Sequence, residues 1–232
     1  MSARVTLLAG VLAGMAALAG AFGALYWLHA PERFAVSEVR IAGELKRTTK
    51  AEIEASLPRA SGNLFAVDLA ELRAGVERLP WVRRVAVRRV WPGRLEVYVE
   101  EHVALARWGE EALVNTHGER FLATTKEALP AFFAPGGTHA EVARRYLRFA
   151  AIVAPLGTGI ERVVLSPRYA WQLRLANGLH LMLGRDAQLA ETRLRRFVEA
   201  YPATVTRVGQ KHEYVDLRYP NGFALRLPEL KS

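Results

Sequence analysis

The chain has 232 residues, 51% of them hydrophobic, no cysteine, and a formal charge of +9 at neutral pH. Without cysteine it can form no disulfide framework, no zinc ribbon and no thiol nucleophile. Its basic residues are spread, 12 against 10 acidic in 34–103 and 18 against 12 in 104–232, with no Lys/Arg block interleaved with aromatics, which argues against nucleic-acid binding.

Val5 to Leu28 is an uncharged run of 24 residues. As a helix rising about 1.5 Å per residue it reaches about 36 Å, beyond the roughly 30 Å hydrocarbon core of a bilayer. Tyr26 and Trp27 fall at its end, where amphipathic rings favour the headgroup layer. Ala21 and Gly23 imitate a signal-peptide cleavage site, but such peptides have a shorter apolar core. The reading is a transmembrane helix over 5–28 behind a short tail, 1–4. Flanking charge does not orient it: Arg4 stands against Arg33 and the Lys46, Arg47, Lys50 cluster. Gly10 and Gly14 have the G-x-x-x-G spacing that lets another helix approach, the basis for an expected self-association, although Ala/Gly-rich spans often produce it by composition.

Residues 34–103 read as one small domain. Phe34 to Ile41 is a strand whose alternation slips near Ser37. Thr49 and Glu52 have capping-box spacing ahead of a short helix with Ile53 and Leu57 on its buried face. Asp68 and Glu71 start a second helix, in which Leu69, Leu72, Val76 and Leu79 recur and Pro80 follows. Val85 and Val87, then Leu95, Val97 and Val99, alternate with charged residues on either side of a Trp91-Pro92-Gly93 turn, which is a β-hairpin. Its charged side, Arg-rich on one strand and Glu-rich on the other, reads most simply as a solvated sheet face. The order is β-α-α-β-β. The segments Ile41-Ala42-Gly43, Gly62-Asn63-Leu64-Phe65, Leu79-Pro80-Trp81-Val82, Arg89-Val90-Trp91-Pro92 and Leu95-Glu96-Val97-Tyr98-Val99-Glu100-Glu101 resemble those of a POTRA domain.

Residues 104–232 read as a mostly antiparallel β domain with two or more helices. Strands are expected at Ala104–Trp108, Leu113–Asn115, Phe121–Leu122, Leu129–Ala134, Ile160–Leu165, Trp171–Leu175 and Leu179–Leu183. Asn177-Gly178 has the composition of a two-residue hairpin turn. Helices are expected over His139–Leu156 and from Asp186 to Pro202. Tyr214–Tyr219 and Phe223–Leu227 form a closing pair around Pro220-Asn221-Gly222. The stretches Ala106-Arg107-Trp108, Leu113-Val114-Asn115 with Gly118 and Phe121, Arg196-Phe197-Val198, and Val215-Asp216-Leu217-Arg218-Tyr219-Pro220-Asn221-Gly222-Phe223-Ala224 are similar to the FtsQ/DivIB family of cell-division proteins. With the anchor and the POTRA-like unit, the resemblance covers nearly the whole chain. The fold class expected is α+β.

No catalytic constellation is present in the sequence. The six His residues, 29, 102, 117, 139, 180 and 212, show no H-x-x-x-H or H-E-x-x-H spacing. No serine sits in G-x-S-x-G or S-x-x-K. Gly157-Thr158-Gly159 lacks the third glycine of a dinucleotide loop because Arg162 stands there. Glu100 and Glu101 are adjacent on a strand, so they point to opposite faces and make a poor acid/base pair. The expectation is a non-enzyme without cofactor or metal.

The family resemblance implies a division-septum scaffold in the cell inner membrane, N-terminus cytoplasmic and both domains periplasmic. It implies FtsB and FtsL, small single-span division proteins, as partners, together with other divisome proteins. It carries Tyr219, Asn221, Gly222, Phe223, Ala224 and Leu225 onto the FtsB contact, through strand addition to the Phe223–Leu227 edge, with Arg196 as a charge partner. The blander reading of Tyr219 and Gly222 is that they pack and turn the last hairpin. The family usually carries a longer charged tail than Met1–Arg4, so either that tail is dispensable here or the start is truncated. The alternatives are a POTRA-bearing outer-membrane assembly or secretion factor, which would need a membrane β-barrel, and a cell-wall-binding envelope protein.

Overall fold

The computed structural model describes residues 3–29, 34–58, 63–204, 214–219 and 222–226. The chain divides into two compact units, Met1–Glu101 and His102–Ser232. Helices and mixed sheets occur in both, which is the α+β class expected.

The first unit begins with α1 (Ala3–His29), whose Ala9–Trp27 stretch is long and apolar enough to cross a bilayer. It continues through β1 (Glu38–Ala42), α2 (Lys50–Ser56), α3 (Leu69–Glu77), β2 (Val82–Val90) and β3 (Arg94–Glu101). The helix starts follow from local chemistry. Thr49 and Glu52 form the reciprocal capping box, and Asp68 accepts from the N–H groups of Ala70 and Glu71. The sheet order is β1-β3-β2, with β1 parallel to β3 and β2 antiparallel to it. Ile53 and Val76 of the helices pack on Val82, Val85, Val97 and Val99 of the sheet. Gly75 permits the close helix approach, since a Cβ there would lie 2.5 Å from the Ser56 carbonyl oxygen.

The entry to β1 differs from the expected strand over Phe34–Ile41. Regular pairing starts only at Glu38. Phe34 takes a positive φ of 71° and Ala35 bridges Asn63, while Ser37 donates from its N–H to the Gly93 carbonyl at 2.8 Å. The slip near Ser37 is therefore a strap across the Trp91-Pro92-Gly93 turn. At the other end of the sheet the Glu101 carboxylate accepts the backbone N–H groups of Lys46 (2.8 Å), Arg47 (3.0 Å) and Thr48 (2.6 Å). That cradle ties the β1–α2 connection to the last residue of β3.

The second unit contains β4 (Ala104–Trp108), β5 (Ala112–Asn115), β6 (Arg120–Phe121), β7 (Ala131–Phe133), α4 (His139–Val153), a 3-10 turn (Ala154–Leu156), β8 (Ile160–Leu165), β9 (Trp171–Leu175), β10 (His180–Gly184), α5 (Ala187–Thr204), β11 (Tyr214–Asp216) and β12 (Ala224–Arg226). They form a nine-stranded sheet in the order β12-β11-β10-β9-β8-β7-β4-β5-β6. Trp171, Leu173 and Leu175 of β9 face a core that includes Phe149 of α4 and Leu194 and Phe197 of α5. The Phe149 and Trp171 rings meet edge to face at 5.6 Å. Glu191 joins the two helices by accepting from Arg145 at 2.6 Å.

Three local expectations change. The Asn177-Gly178 connection is a three-residue loop, Ala176 to Gly178, closed by Leu175 N–H to the Leu179 carbonyl at 2.9 Å. Gly178 alone takes a positive φ there, and Asn177 instead accepts from the Leu179 N–H. The helix from Asp186 runs through Pro202 to Thr204, because a proline in the last turn forfeits one hydrogen bond without ending the helix. The closing strands are shorter than expected, and Leu227 lies outside the described residues.

A candidate partner-binding edge

The C-terminal pair forms one border of the large sheet. Tyr214–Asp216 runs parallel to His180–Met182 of β10, and Ala224–Arg226 pairs antiparallel with it in the register Tyr214↔Arg226, Val215↔Leu225, Asp216↔Ala224. Among the described residues, β12 has a strand on one side only. The unpaired side of such a strand presents a row of N–H and C=O groups that an extended segment can complete.

The alternation along β12 sorts its side chains. Phe223 and Leu225 pack against the core, with the Phe223 ring edge to face on Phe197 at 5.4 Å. Ala224 and Arg226 are exposed, and the Arg226 guanidinium lies 5.8 Å above the Tyr214 ring. Tyr219 is 55% exposed. Gly222 is half-buried before the strand, with nothing within 4 Å of where a Cβ would stand. Arg196 is exposed on α5 beside the buried Phe197. Asn221 lies outside the described residues. The fold therefore places Ala224 and Leu225 in one border strand, with Phe223 immediately before it. Ala224 carries the outward position, and Phe223 and Leu225 anchor the strand from behind.

One further group shapes this edge and was not singled out from sequence. Asp216, 6% exposed, ends β11 by accepting from Arg218 three times over: the backbone N–H (3.0 Å), Nε (2.9 Å) and Nη2 (2.6 Å). The hydrogen bonds from the Arg218 side chain hold the Asp216 carboxyl below the usual carboxylate range. The Arg218 stem passes over Gly184, whose φ is +90° and where an added Cβ would stand 3.4 Å from Arg218 Cγ. Leu217 N–H continues the ladder to the Met182 carbonyl at 2.9 Å. Together these contacts fix the course of the chain into Tyr219. The Asp-x-Arg spacing at 216–218 was the available signal, since a carboxylate two residues before an arginine can close a local bidentate ring.

No group of three His, Cys, Asp or Glu side chains among the described residues is placed to hold a metal ion. The site offers hydrogen-bonding backbone, an aromatic ring and cations, which is recognition chemistry.

Residues 34–102 match the family model described as POTRA domain, FtsQ-type, and residues 106–218 match that of cell division protein FtsQ/DivIB, C-terminal. The chain is 42% identical over 229 residues to cell division protein FtsQ of Burkholderia pseudomallei, covering 96% of this chain and 92% of the relative. It is 44% identical over 186 residues to that of Nitrosospira multiformis, covering 80% and 78%. To that of Escherichia coli it is 32% identical over 211 residues, covering 87% and 76%. A POTRA unit behind an apolar helix, followed by a mixed-sheet unit matched along most of its length, makes this chain a member of the FtsQ/DivIB family of cell-division proteins.

Proposed function

We propose that this protein is a non-enzymatic scaffold of the division septum. Its α1 holds it in the inner membrane with the N-terminus in the cytoplasm and both folded units in the periplasm. There the second unit captures FtsB, and through it FtsL, by adding a strand to β12, while the POTRA unit receives other divisome proteins. The observation that carries this reading is the border of β12, unpaired on one side among the described residues, beside the exposed Tyr219. Backbone pairing supplies affinity in strand addition, and the side chains flanking the edge supply choice. Arg196 and Arg226 offer charge to an acidic partner segment.

The test is co-purification of FtsB with the full-length protein from membranes. Tyr219→Ala and Ala224→Lys change outward positions, so both are expected to abolish capture while the melting temperature stays unchanged. Phe223 is a poor probe of the interface because a charge there would be forced against Phe197. Undiminished capture by both variants would refute the edge-strand reading.

A further inference from the structure

The tip of the β2–β3 hairpin carries the most exposed aromatic ring of the POTRA unit. Trp91 is 72% exposed, although indole is the side chain with most to gain from burial. The position of this tip is fixed by strong contacts on both of its flanks. Before it, Arg89 donates from Nε to the Leu64 carbonyl and from Nη2 to the Val67 carbonyl, both at 2.7 Å. After it, the Gly93 carbonyl accepts from the Ser37 N–H at 2.8 Å and from Ser37 Oγ at 3.0 Å. Gly93 sits so close to the entering chain that an added Cβ would lie 2.7 Å from the Ala35 carbonyl oxygen. The tip is therefore packed on the residues through which the chain comes from α1.

The same end of the unit carries a line of aromatic rings leading back to α1. Trp27, in the last turns of the helix, meets Phe34 edge to face at 6.1 Å, and Phe34 meets Phe65 at 5.5 Å. Phe65, 39% exposed, stands on the loop that Arg89 clamps. Leu64 N–H to the Phe34 carbonyl at 2.7 Å closes the loop onto the entry strand. Two ring-to-ring steps thus connect the end of the apolar helix to the loop beside the hairpin tip. The headgroup layer on each side of the hydrocarbon core is about 5–8 Å thick, and tryptophan and tyrosine concentrate there.

We infer that Trp91, with Phe65 on the loop that Arg89 clamps, is a second membrane contact: an interfacial anchor that rests the POTRA unit on the lipid headgroup layer of the leaflet where α1 emerges. The inference rests on the reading of α1 as a membrane span. Its occupant is lipid because the ring line from that span ends on the loop clamped by Arg89, which lies two residues before Trp91, and because its neighbouring cations are already engaged. Arg88 pairs with Glu96 at 2.6 Å, Arg94 with Glu38 at 2.8 Å, and Arg89 is spent on two carbonyls. Aromatic partition, not attraction to anionic lipid, drives the contact.

The full-length protein reconstituted in nanodiscs tests this. There are five tryptophans, so the emission of Trp91 is the difference between the wild type and Trp91→Phe, and that of Trp27 is the difference from Trp27→Phe. Lipids brominated on the upper acyl chain should quench most of the Trp91 difference signal, with protection from aqueous iodide. The effect should be equal in purely zwitterionic bilayers and in bilayers containing anionic lipid. A Trp91 signal quenched by iodide and indifferent to brominated lipid overturns the inference, as does quenching that appears only with anionic lipid. Trp27 separates the two levels: if it is lipid-quenched and Trp91 is not, the second contact fails and the span stands. If neither is quenched, the span itself fails.

Discussion

The two sheets treat their borders differently. The small sheet ends in β1 and β2, and both present charge to solvent: Glu38 and Arg40 on the first, Arg84 and Arg88 on the second. Those arginines of β2 stand opposite Glu100 and Glu96 of β3, and Arg88 and Glu96 close to 2.6 Å. Fixed charges along an edge resist another strand. The large sheet ends on one side in β6, two residues long, too short to template anything. Its other border, β12, turns Ala224 and Arg226 outward, with Leu225 and the preceding Phe223 partly buried against the core. Among the described residues, three of the four borders are defended by repeated charge or brevity, and the fourth carries Arg226 as its one exposed charge. The contrast teaches that an edge is read by how its charge is placed: β12 carries one exposed cation, Arg226, at its end, where β1 and β2 carry charge along their length.

That contrast can be broken by attacking what holds β12 in place. Phe197 is fully buried and supports Phe223 and Tyr201 through ring contacts of 5.4 and 5.5 Å. Phe197→Ala should cost about 3–5 kcal/mol, as for large core rings, and should lower the thermal midpoint of the second unit together with FtsB capture. In the first unit, Glu101→Ala strips three backbone donors of their acceptor and should cost about 1–3 kcal/mol in denaturant unfolding, with FtsB capture unaffected. Loss of capture on Glu101→Ala would show that the two borders are not independent.

Asp216 gives a pH signature specific to the C-terminal border. Its carboxyl is held below the ordinary carboxylate range, so the unfolded chain takes up the proton first as pH falls. The stabilisation it gives is complete at neutral pH and is lost as pH drops through the depressed folded-state value. Thermal melts of the wild type should therefore fall toward acid more steeply than those of Asp216→Asn, and parallel curves would contradict the pairing with Arg218. Smaller still is Thr49→Ala, which removes one half of the capping box before α2 and should cost about 1 kcal/mol. The least effect on stability, within about 0.5 kcal/mol, is expected for Tyr219→Ala at its exposed position.

Much of the local structure is legible in the residues. Trp171–Leu175 alternates cleanly and is a strand over that span, and the Thr49 and Asp68 caps start their helices where the hydroxyl and carboxylate predict. What periodicity cannot convey is which strands become neighbours. The parallel placement of β1 beside β3, and of β11 beside β10, depends on contacts across long stretches of chain. The Glu101 cradle is invisible for the same reason: its three donors lie more than fifty positions earlier. At the candidate edge, the sequence pointed to a segment that forms a border strand but not to its sidedness. Phe223 and Leu225 look like contact residues until the register turns them inward and leaves Ala224 outside.

The most direct measurement uses the absence of native cysteine. Ala224→Cys and Arg84→Cys each place a single thiol on a border strand, one in each sheet. Paired in membranes with cysteine-scanned periplasmic segments of FtsB, Ala224→Cys is expected to form a disulfide over a short run of alternate FtsB positions, the pattern of an added strand, while Arg84→Cys forms none. Cross-linking at Arg84→Cys in place of Ala224→Cys, or none at Ala224→Cys, would contradict the account.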